Sequence, residues 1–294
     1  MPAPLSPEEI KQRIAEANAR AAEARAKALA AFPFERVEVP GDVALAKWEE
    51  LRKAGRGVPI VVGDDDSVAA LGDPLSEQWN IADTLAVADR LRHPADLFAQ
   101  RAHENARSAE YTRRLLKDPN APLPKMSVVD AQGKSRDLTP EETRAAFLEK
   151  LDRKPPTGDW PSSVDTDGPE PSVAFDVLTQ KPLPKVIIAL IPTDDWTTIP
   201  AHLNWGAWNA CPAPEFHVAA LRSWRDRYGA ELVGLNNDTM DLRVARAPKT
   251  RAEAMELAQE QYAYCNDIVD QGVGTMSALA AILMARPWWF FWWD

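Results

Sequence analysis

Cysteine is scarce in this sequence, with only Cys211 and Cys265 among 294 residues. Two cysteines make no disulfide framework, and so few are typical of proteins from a reducing compartment. The beginning of the chain, MPAPLSPEEIKQR, lacks the basic stretch and the apolar run of a secretory signal peptide. Apolar runs such as Val186 to Pro192 are far shorter than the ~20 residues that span a bilayer. We therefore expect a cytoplasmic protein with no membrane partner.

The sequence also lacks any dense block of lysine or arginine. It has 44 acidic and 34 basic residues, which gives a net charge of −10. Proteins that bind duplex nucleic acid present a basic face, so we expect no nucleic-acid partner. An acidic surface would instead attract a basic protein. Neither common type of glycine-rich phosphate loop occurs, and we expect no cofactor.

Residues 1–32 are predicted to form one N-terminal helix. Ser6 and Glu9 give a capping-box pattern around Pro7, and the alanine-rich stretch that follows should stay helical to about Ala31. Because most of its apolar residues are alanines, this helix buries little area per turn. It is either a solvated surface helix or a helix that packs on a partner, through which the protein would form a homo-oligomer.

Residues 33–151 are predicted to form a helix-rich α/β region. A strand at 34–39, a helix at 43–52 and a strand at 58–62 follow one another closely, which favours a parallel pair of strands. Further helices are expected at 81–91, 94–117 and 139–151, with a hairpin at 126–138. Residues 152–172 contain five prolines and are predicted to be a linker or a long surface loop.

Three aspartates, Asp64, Asp65 and Asp66, directly follow the second predicted strand. Loops at strand ends often bind ligands in α/β sheets, and three carboxylates are suitable ligands for a hard cation. The alternative is that they cap the helix that begins near Ser67 and stabilise its dipole. We prefer the capping interpretation and predict no metal site.

Residues 173–294 are predicted to form a C-terminal domain, a mixed sheet of about five strands with three helices. The whole chain is thus of the α+β or α/β class. The strands are expected at 175–178, 185–191, 231–235, 242–245 and 288–293, and the helices at 214–228, 250–264 and 275–284. The stretch KVIIALI at 185–191 is apolar on both faces, which predicts a central strand.

Tryptophan is concentrated in two stretches, 200–224 and the terminal WWFFWWD, which hold seven of the 11 tryptophans. In a strand, alternate residues of WWFFWW face opposite sides of the sheet. Either both sides are buried, or one side is open and joins Trp205 and Trp208 as a protein-binding surface. Asn204 and Asn209 flank these two tryptophans, and they either hydrogen-bond a ligand or brace their own loop, which we prefer.

Cys211, His202 and His217 are the candidates for chemistry. With Cys265 they are ligand types that zinc takes, but without the usual paired spacing, so we prefer core packing. His217, for example, follows the apolar stripe of its helix. The other interpretation is a Cys211 nucleophile with a histidine base, because a helix start lowers a thiol pKa.

The segment NWGAWNACP at 204–212 resembles a bacterial family known only as domain of unknown function 4253. The likeness continues through AELVG at 230–234, QYAYC and DIVD within 261–270, and the closing FWWD, so it covers about residues 173–294. Ala207 departs from the pattern, since a second glycine is usual there. The family has no established activity, so the resemblance implies a domain boundary and no catalytic residue.

Two hypotheses about function follow. The leading one is a non-catalytic protein-binding module, immunity or antitoxin-like, with an aromatic loop on an acidic surface. Its contact residues would be Asn204, Trp205, Trp208, Asn209 and Asp294. The alternative is a small-molecule hydrolase or another enzyme that uses the Cys211 loop with His202 or His217.

Overall fold

The computed structural model of the protein describes residues 7–72, 75, 79–91, 94–129, 133–152 and 154–294. The strands are β1 (Glu35–Val39), β2 (Val58–Gly63), β3 (Ser127–Val129), β4 (Ser135–Asp137), β5 (Val186–Ile191), β6 (Ala230–Leu235), β7 (Thr239–Val244) and β8 (Trp288–Trp292). The α-helices are α1 (Pro7–Ala31), α2 (Ala44–Ala54), α3 (Asp65–Gly72), α4 (Ile81–Arg90), α5 (Pro94–Lys117), α6 (Pro140–Asp152), α7 (Ile199–His202), α8 (Pro214–Tyr228), α9 (Arg251–Tyr264) and α10 (Met276–Ala285). Within these ranges no helix is long and apolar enough to cross a membrane.

A mixed six-stranded sheet in the order β1-β5-β2-β6-β7-β8 organises the fold. β5 pairs antiparallel with both β1 and β2, and all six of its residues are buried, as expected for a central strand. The predicted parallel pair of β1 and β2 is wrong, because β5 lies between them. The sheet therefore takes two strands from before the Pro-rich segment and four from after it. The boundaries of the predicted domains stay a prediction.

Each face of this sheet carries its own core. The smaller core packs Ala44, Trp48 and Leu51 of α2 against apolar residues of β2, β5 and β6. The larger core contains most of the aromatic side chains, supplied mainly by α8, α9 and β8. In β8 the alternation is visible in the exposure: Phe291 is fully buried, whereas its neighbour Phe290 is 49% exposed. One side of the final strand is thus buried and the other is partly open.

Local capping signals place several elements as predicted. Thr139 and Glu142 form a reciprocal capping box at the start of α6, with N–H to side-chain distances of 2.9 and 3.2 Å. β3 and β4 pair as the expected hairpin, although its turn at 130–132 and the capping residue Ser6 lie outside the described residues. The strand expected at 175–178 is a single bridge to Pro182, because Asp176 accepts a hydrogen bond from the Thr179 amide at 2.7 Å and closes a turn.

Helix α1 contacts the rest of the described chain chiefly at its end. Residues 10–27 are exposed, and Ile10 and Ile14 are 46% and 56% exposed. Docking occurs where the Ala28 carbonyl lies against Gly72 of α3, so closely that a Cβ there would be 2.1 Å from the oxygen. Self-association through α1 stays a prediction.

The Pro-rich segment is a docked surface loop, and we call residues 154–172 the strap. Its first part caps helix α10. The amides of Met276 and Ser277 donate to the carbonyls of Pro156 and Thr157 at 3.0 and 2.9 Å, and the Ser277 hydroxyl donates to the Gly158 carbonyl at 3.0 Å. These bonds satisfy helix N–H groups that have no partner within the helix.

Candidate functional site

The loop between α7 and α8, residues 204–211, has an uncommon backbone. Asn204, Ala207 and Asn209 have φ values of 46°, 67° and 45°, and Gly206 has a φ of 118°. Residues other than glycine adopt this left-handed conformation rarely and at a cost in free energy. Contacts with the surrounding structure must therefore hold the loop in place.

Hydrogen bonds close the loop on itself. The Ala207 amide donates to the Pro212 carbonyl at 2.8 Å, and the Cys211 amide donates to the Trp208 carbonyl at 2.8 Å. Gly206 is needed here, since a Cβ at that position would be 2.1 Å from the Pro212 oxygen. Ala207 lies where a second glycine is usual, and because it is exposed, the methyl group that alanine adds has room.

Three further contacts fix the loop to other elements. The Trp205 indole donates to the Asn236 carbonyl at 2.7 Å, and the Asn209 amide donates to the Asp294 carbonyl at 2.8 Å. The guanidinium of Arg101, on α5, donates to the carbonyl of Ala210. Asn209 thus braces the loop, as preferred from the sequence.

The predicted contact residues differ in their exposure. Asn209 and Asp294 are exposed, and Asn204 and Trp208 are half-buried. Trp205 is only 2% exposed, because its ring lies under the loop. The placement of Trp205 on an open surface is therefore wrong, and the binding prediction continues with the other four residues.

Under this loop lies a chain of polar side chains that we call the loop cluster: Cys211, His217 and Tyr264. Cys211 Sγ is 3.4 Å from His217 Nε2, and His217 Nδ1 is 2.5 Å from the Tyr264 hydroxyl. The sequence predicted both Cys211 and His217 but not Tyr264, which α9 supplies. Nothing local in QYAY shows which tyrosine turns inward, and in the structure Tyr264 is 1% exposed.

Burial keeps the loop cluster neutral. Desolvation raises the pKa of the Cys211 thiol and of the Tyr264 hydroxyl, and it lowers the pKa of the His217 imidazole. The start of α8 therefore does not lower the thiol pKa, contrary to expectation. The thiolate–imidazolium pair of an activated cysteine does not form at neutral pH.

Aromatic rings explain this exclusion of water. The ring centroids of Trp205, Tyr264 and Trp293 lie 4.6, 5.3 and 5.6 Å from that of His217. An imidazole enclosed in this way has no solvent to stabilise its charged form. The aromatic shell and the neutral cluster form one packed unit.

The other zinc or base candidates are elsewhere. Cys265 donates its thiol hydrogen to the Trp292 carbonyl at 3.0 Å, and burial raises its pKa to about 12. His202 is half-buried at the end of α7, where burial lowers its pKa. In the described ranges, no three His, Cys, Asp or Glu side chains are arranged to bind a metal ion.

The three aspartates after β2 each contact a different partner. Asp64 accepts hydrogen bonds from the amide and hydroxyl of Ser67, each at 3.0 Å, and so caps α3. Asp65 pairs with Lys185 at 2.5 Å, and Asp66 pairs with Arg25 at 2.6 Å. The capping interpretation of Asp64 is confirmed.

A second buried polar group, which the sequence did not indicate, lies where the strap meets the sheet. We call Glu170, Ser172, Asp241 and Arg286 the strap cluster. Asp241 is 1% exposed and accepts hydrogen bonds from the Ser172 hydroxyl at 2.8 Å and the Val173 amide at 3.2 Å. Glu170 pairs with Arg286. Polar and apolar residues alternate in the strand TMDLRV, and Asp241 is among the polar ones, so the pattern gave no sign that it is buried.

Burial also favours the neutral form of the acids in the strap cluster, but it moves their pKa values to near neutral pH. Burial raises the pKa of Asp241 to about 6. Burial, and secondarily the charge of Asp241, raises the pKa of Glu170 to about 7. Both carboxyls therefore change protonation near neutral pH, which is common among functional groups.

Comparison with known proteins gives one match. Residues 187–294 match the model of a family described as Domain of unknown function (DUF4253). No curated protein and no solved structure matches the chain. The match includes the 204–211 loop and the whole loop cluster, whereas Glu170 and Ser172 precede it. The C-terminal part of this chain belongs to the DUF4253 family.

Proposed function

We propose that the protein is a non-catalytic protein-binding module that contacts its partner through the 204–211 loop. The supporting observation is the backbone of that loop, in which four residues have positive φ yet are held by hydrogen bonds from several elements. A surface that is already ordered loses less conformational entropy on binding. Half-buried Trp208 is the natural anchor, since tryptophan is enriched among residues that dominate binding energy.

Charge favours a basic partner. The chain carries a net charge of −10, and exposed Asp294 lies beside the loop, with its amide bonded to Asp267 at 3.2 Å. An acidic surface steers a basic protein toward it. We infer a cytoplasmic, immunity or antitoxin-like role, which fits two unpaired, buried cysteines.

The first experiment is capture of a partner from native lysate, with identification by mass spectrometry. Trp208→Ala removes the proposed anchor. The matched control is Trp196→Ala, another half-buried tryptophan in a different turn. We expect a stoichiometric partner that Trp208→Ala loses and Trp196→Ala retains, with both variants folded by circular dichroism. A partner that Trp208→Ala still binds would contradict the proposal.

The enzyme hypothesis has one observation in its favour. Cys211, His217 and Tyr264 are connected at 3.4 and 2.5 Å, in the order of a nucleophile, a base and an orienting group. Against it, Cys211 is only 5% exposed, and burial raises the pKa of its thiol. A hydrolase would need this thiol as an accessible thiolate.

Thiol alkylation separates the two hypotheses. In the binding module, neither Cys211 nor Cys265 should react with a thiol reagent at pH 8 until the protein unfolds. A single fast-reacting thiol that disappears in Cys211→Ser, but not in Cys265→Ser, would favour the enzyme. Cys265→Ser is the control, because Cys265 is a buried free cysteine like Cys211.

A further inference from the structure

Helix α5 lies outside the part of the chain that matches the family, yet it packs on the two helices that supply the loop cluster. The ring of Phe98 stacks on that of Trp224 in α8, with centroids 5.5 Å apart. The side-chain amide of Asn105 donates to the Ala263 carbonyl of α9 at 3.0 Å. Arg101 is three residues from the first and four from the second, so all three lie on one face of α5. This face docks on the family domain.

Arg101 is the charged residue of the docked face, and its side chain is only 14% exposed. Its guanidinium lies 5.9 Å from the centroid of the Phe216 ring, on the first turn of α8. It donates to the Ala210 carbonyl and lies 3.8 Å from Glu104, whereas its Nε has no hydrogen-bond partner among the described residues. Burying a charged group is costly, and an apolar side chain would cover the ring at a smaller cost. The position therefore favours a role for the charge itself.

The bond from Arg101 reaches the turn that presents the proposed anchor. The Cys211 amide donates to the Trp208 carbonyl at 2.8 Å, which closes a turn with Asn209 and Ala210 in its centre. Asn209 has a φ of 45° in this turn. The Ala210 carbonyl and the Cys211 amide belong to one planar peptide group. This group is thus held at both ends, by the turn itself and by the guanidinium.

We propose that Arg101 is a positioning residue for the binding site, which holds the 204–211 loop from outside the family domain in the conformation that presents Trp208 to a partner. The site then has two parts, the loop and α5, and its affinity depends on the docking of α5. The effect on affinity rests on the function proposed above. The ordering of the loop by Arg101 does not, because it requires no partner.

The other contacts of the loop hold different parts of it. The indole of Trp205 bonds to the Asn236 carbonyl at the beginning of the loop, and the side chain of Asn209 bonds to the Asp294 carbonyl. Neither bond reaches the peptide group that the guanidinium holds. Because the positive φ values make this conformation costly, the loop has little stability to spare. Loss of the guanidinium should therefore loosen the turn and leave the beginning of the loop in place.

Hydrogen exchange of the full chain, followed by mass spectrometry, measures the loop without a partner. Arg101→Met keeps a long side chain over Phe216 but has no donor, whereas Arg101→Lys keeps a charge and a donor. In Arg101→Met, the peptide with the Ala207 and Cys211 amides should exchange on the order of tenfold faster, because a hydrogen bond from a charged donor is lost. Arg101→Lys should exchange at a rate between those of Arg101→Met and the wild type.

Arg107→Met is the matched control, because Arg107 is an exposed arginine on the same helix. It should leave the exchange of the loop unchanged. A peptide from central β5 is the internal reference and should stay protected in every variant. Protection of β5 separates a loosened loop from global unfolding. If Arg101→Met also exposes β5, Arg101→Gln replaces it, and a smaller increase in loop exchange is then expected because a neutral donor remains.

Partner affinity is the second measurement, since a structural role alone would not change it. Affinity falls with the fraction of molecules in which the loop is ordered, so Arg101→Met should bind the captured partner several-fold more weakly than Arg107→Met does. Unchanged loop exchange in Arg101→Met, or in Arg101→Gln where that variant replaces it, would overturn the proposal. Faster exchange with unchanged affinity would also overturn it. Failure to capture any partner would count against the proposed function, while the exchange rates would still decide whether Arg101 orders the loop.

Discussion

The loop cluster and the strap cluster both bury polar side chains beside the same sheet, but burial keeps the groups of the first neutral, whereas the carboxyls of the second titrate near neutral pH. In the loop cluster, aromatic rings surround His217, and its neighbours Cys211 and Tyr264 are neutral partners. In the strap cluster, the Arg286 guanidinium and the carboxyls of Glu170 and Asp241 meet between the strap and the sheet. The side chains of Arg286 and Glu170 are 22% and 17% exposed. The residue types in the first cluster suggest reactivity, but the surroundings in the second produce titration near neutral pH.

This difference gives the two clusters opposite responses to pH. A lowered imidazole pKa means that the unfolded chain binds the proton more tightly, so His217 costs stability below its ordinary value of 6.5. Raised carboxyl pKa values mean that the folded chain binds protons more tightly, so Glu170 and Asp241 cost stability as the pH rises. Variants that remove one cluster at a time can separate the two effects.

The largest effect is expected from opening the aromatic shell. Phe291 is fully buried, 5.3 Å from Trp224 and 5.1 Å from Tyr264 between ring centroids. Phe291→Ala should lower the free energy of unfolding by about 3–5 kcal/mol, as measured by urea denaturation. The adjacent Phe290→Ala, on the exposed side of the strand, should cost less than about 1 kcal/mol. Equal losses would mean that the shell does not support the loop cluster.

An intermediate effect is expected from Arg286→Ala, which removes the cation of the strap cluster. At pH 8 the variant should lose about 1–3 kcal/mol of unfolding free energy, because the Glu170 carboxylate loses its ion-pair partner and Asp241 loses a nearby positive charge. At pH 5.5 the loss should be smaller, since carboxyls with pKa values of about 6 and 7 are largely protonated. Urea denaturation at both pH values measures the difference. A loss that is independent of pH would show that Arg286 acts through packing alone.

The smallest effect is expected from His217→Gln, which replaces the imidazole by a group that cannot ionise. The wild type should lose about 1 kcal/mol more than this variant when the pH falls from 7.5 to 5.5. His103→Gln is the matched control, since it makes the same replacement at an exposed histidine on α5. If both variants have the wild-type slope, the imidazole is not held neutral in the folded protein.

The elements that the sequence predicted well are those with local causes. Thr250 and Thr275 cap α9 and α10 through side-chain bonds of 3.2 and 3.1 Å to amides within the next turn. His217 was placed on the buried stripe of α8 by helical spacing alone, and it is fully buried. Periodicity and capping depend on neighbouring residues, which a single sequence contains.

The features that the sequence did not predict depend on distant contacts. The burial of Trp205 follows from a left-handed backbone, which has no periodic pattern, and from its bond to Asn236. Tyr264 joins the loop cluster only because α9 docks on α8, and Glu170 meets Asp241 only because the strap crosses β7. In each case the partner is tens of residues away, and no spacing rule connects the two.

The position of β5 between β1 and β2 also has a consequence for biosynthesis. β1 and β2 leave the ribosome more than a hundred residues before β5, the strand that pairs with both. Their hydrogen bonds to β5 therefore cannot form until β5 has been synthesised. During that interval two short strands have unpaired edges, which are prone to associate with other chains. A fragment cut at residue 187 would deprive β5 of both neighbours at once, so soluble expression of the family domain by itself should require β1 and β2 to be supplied as well.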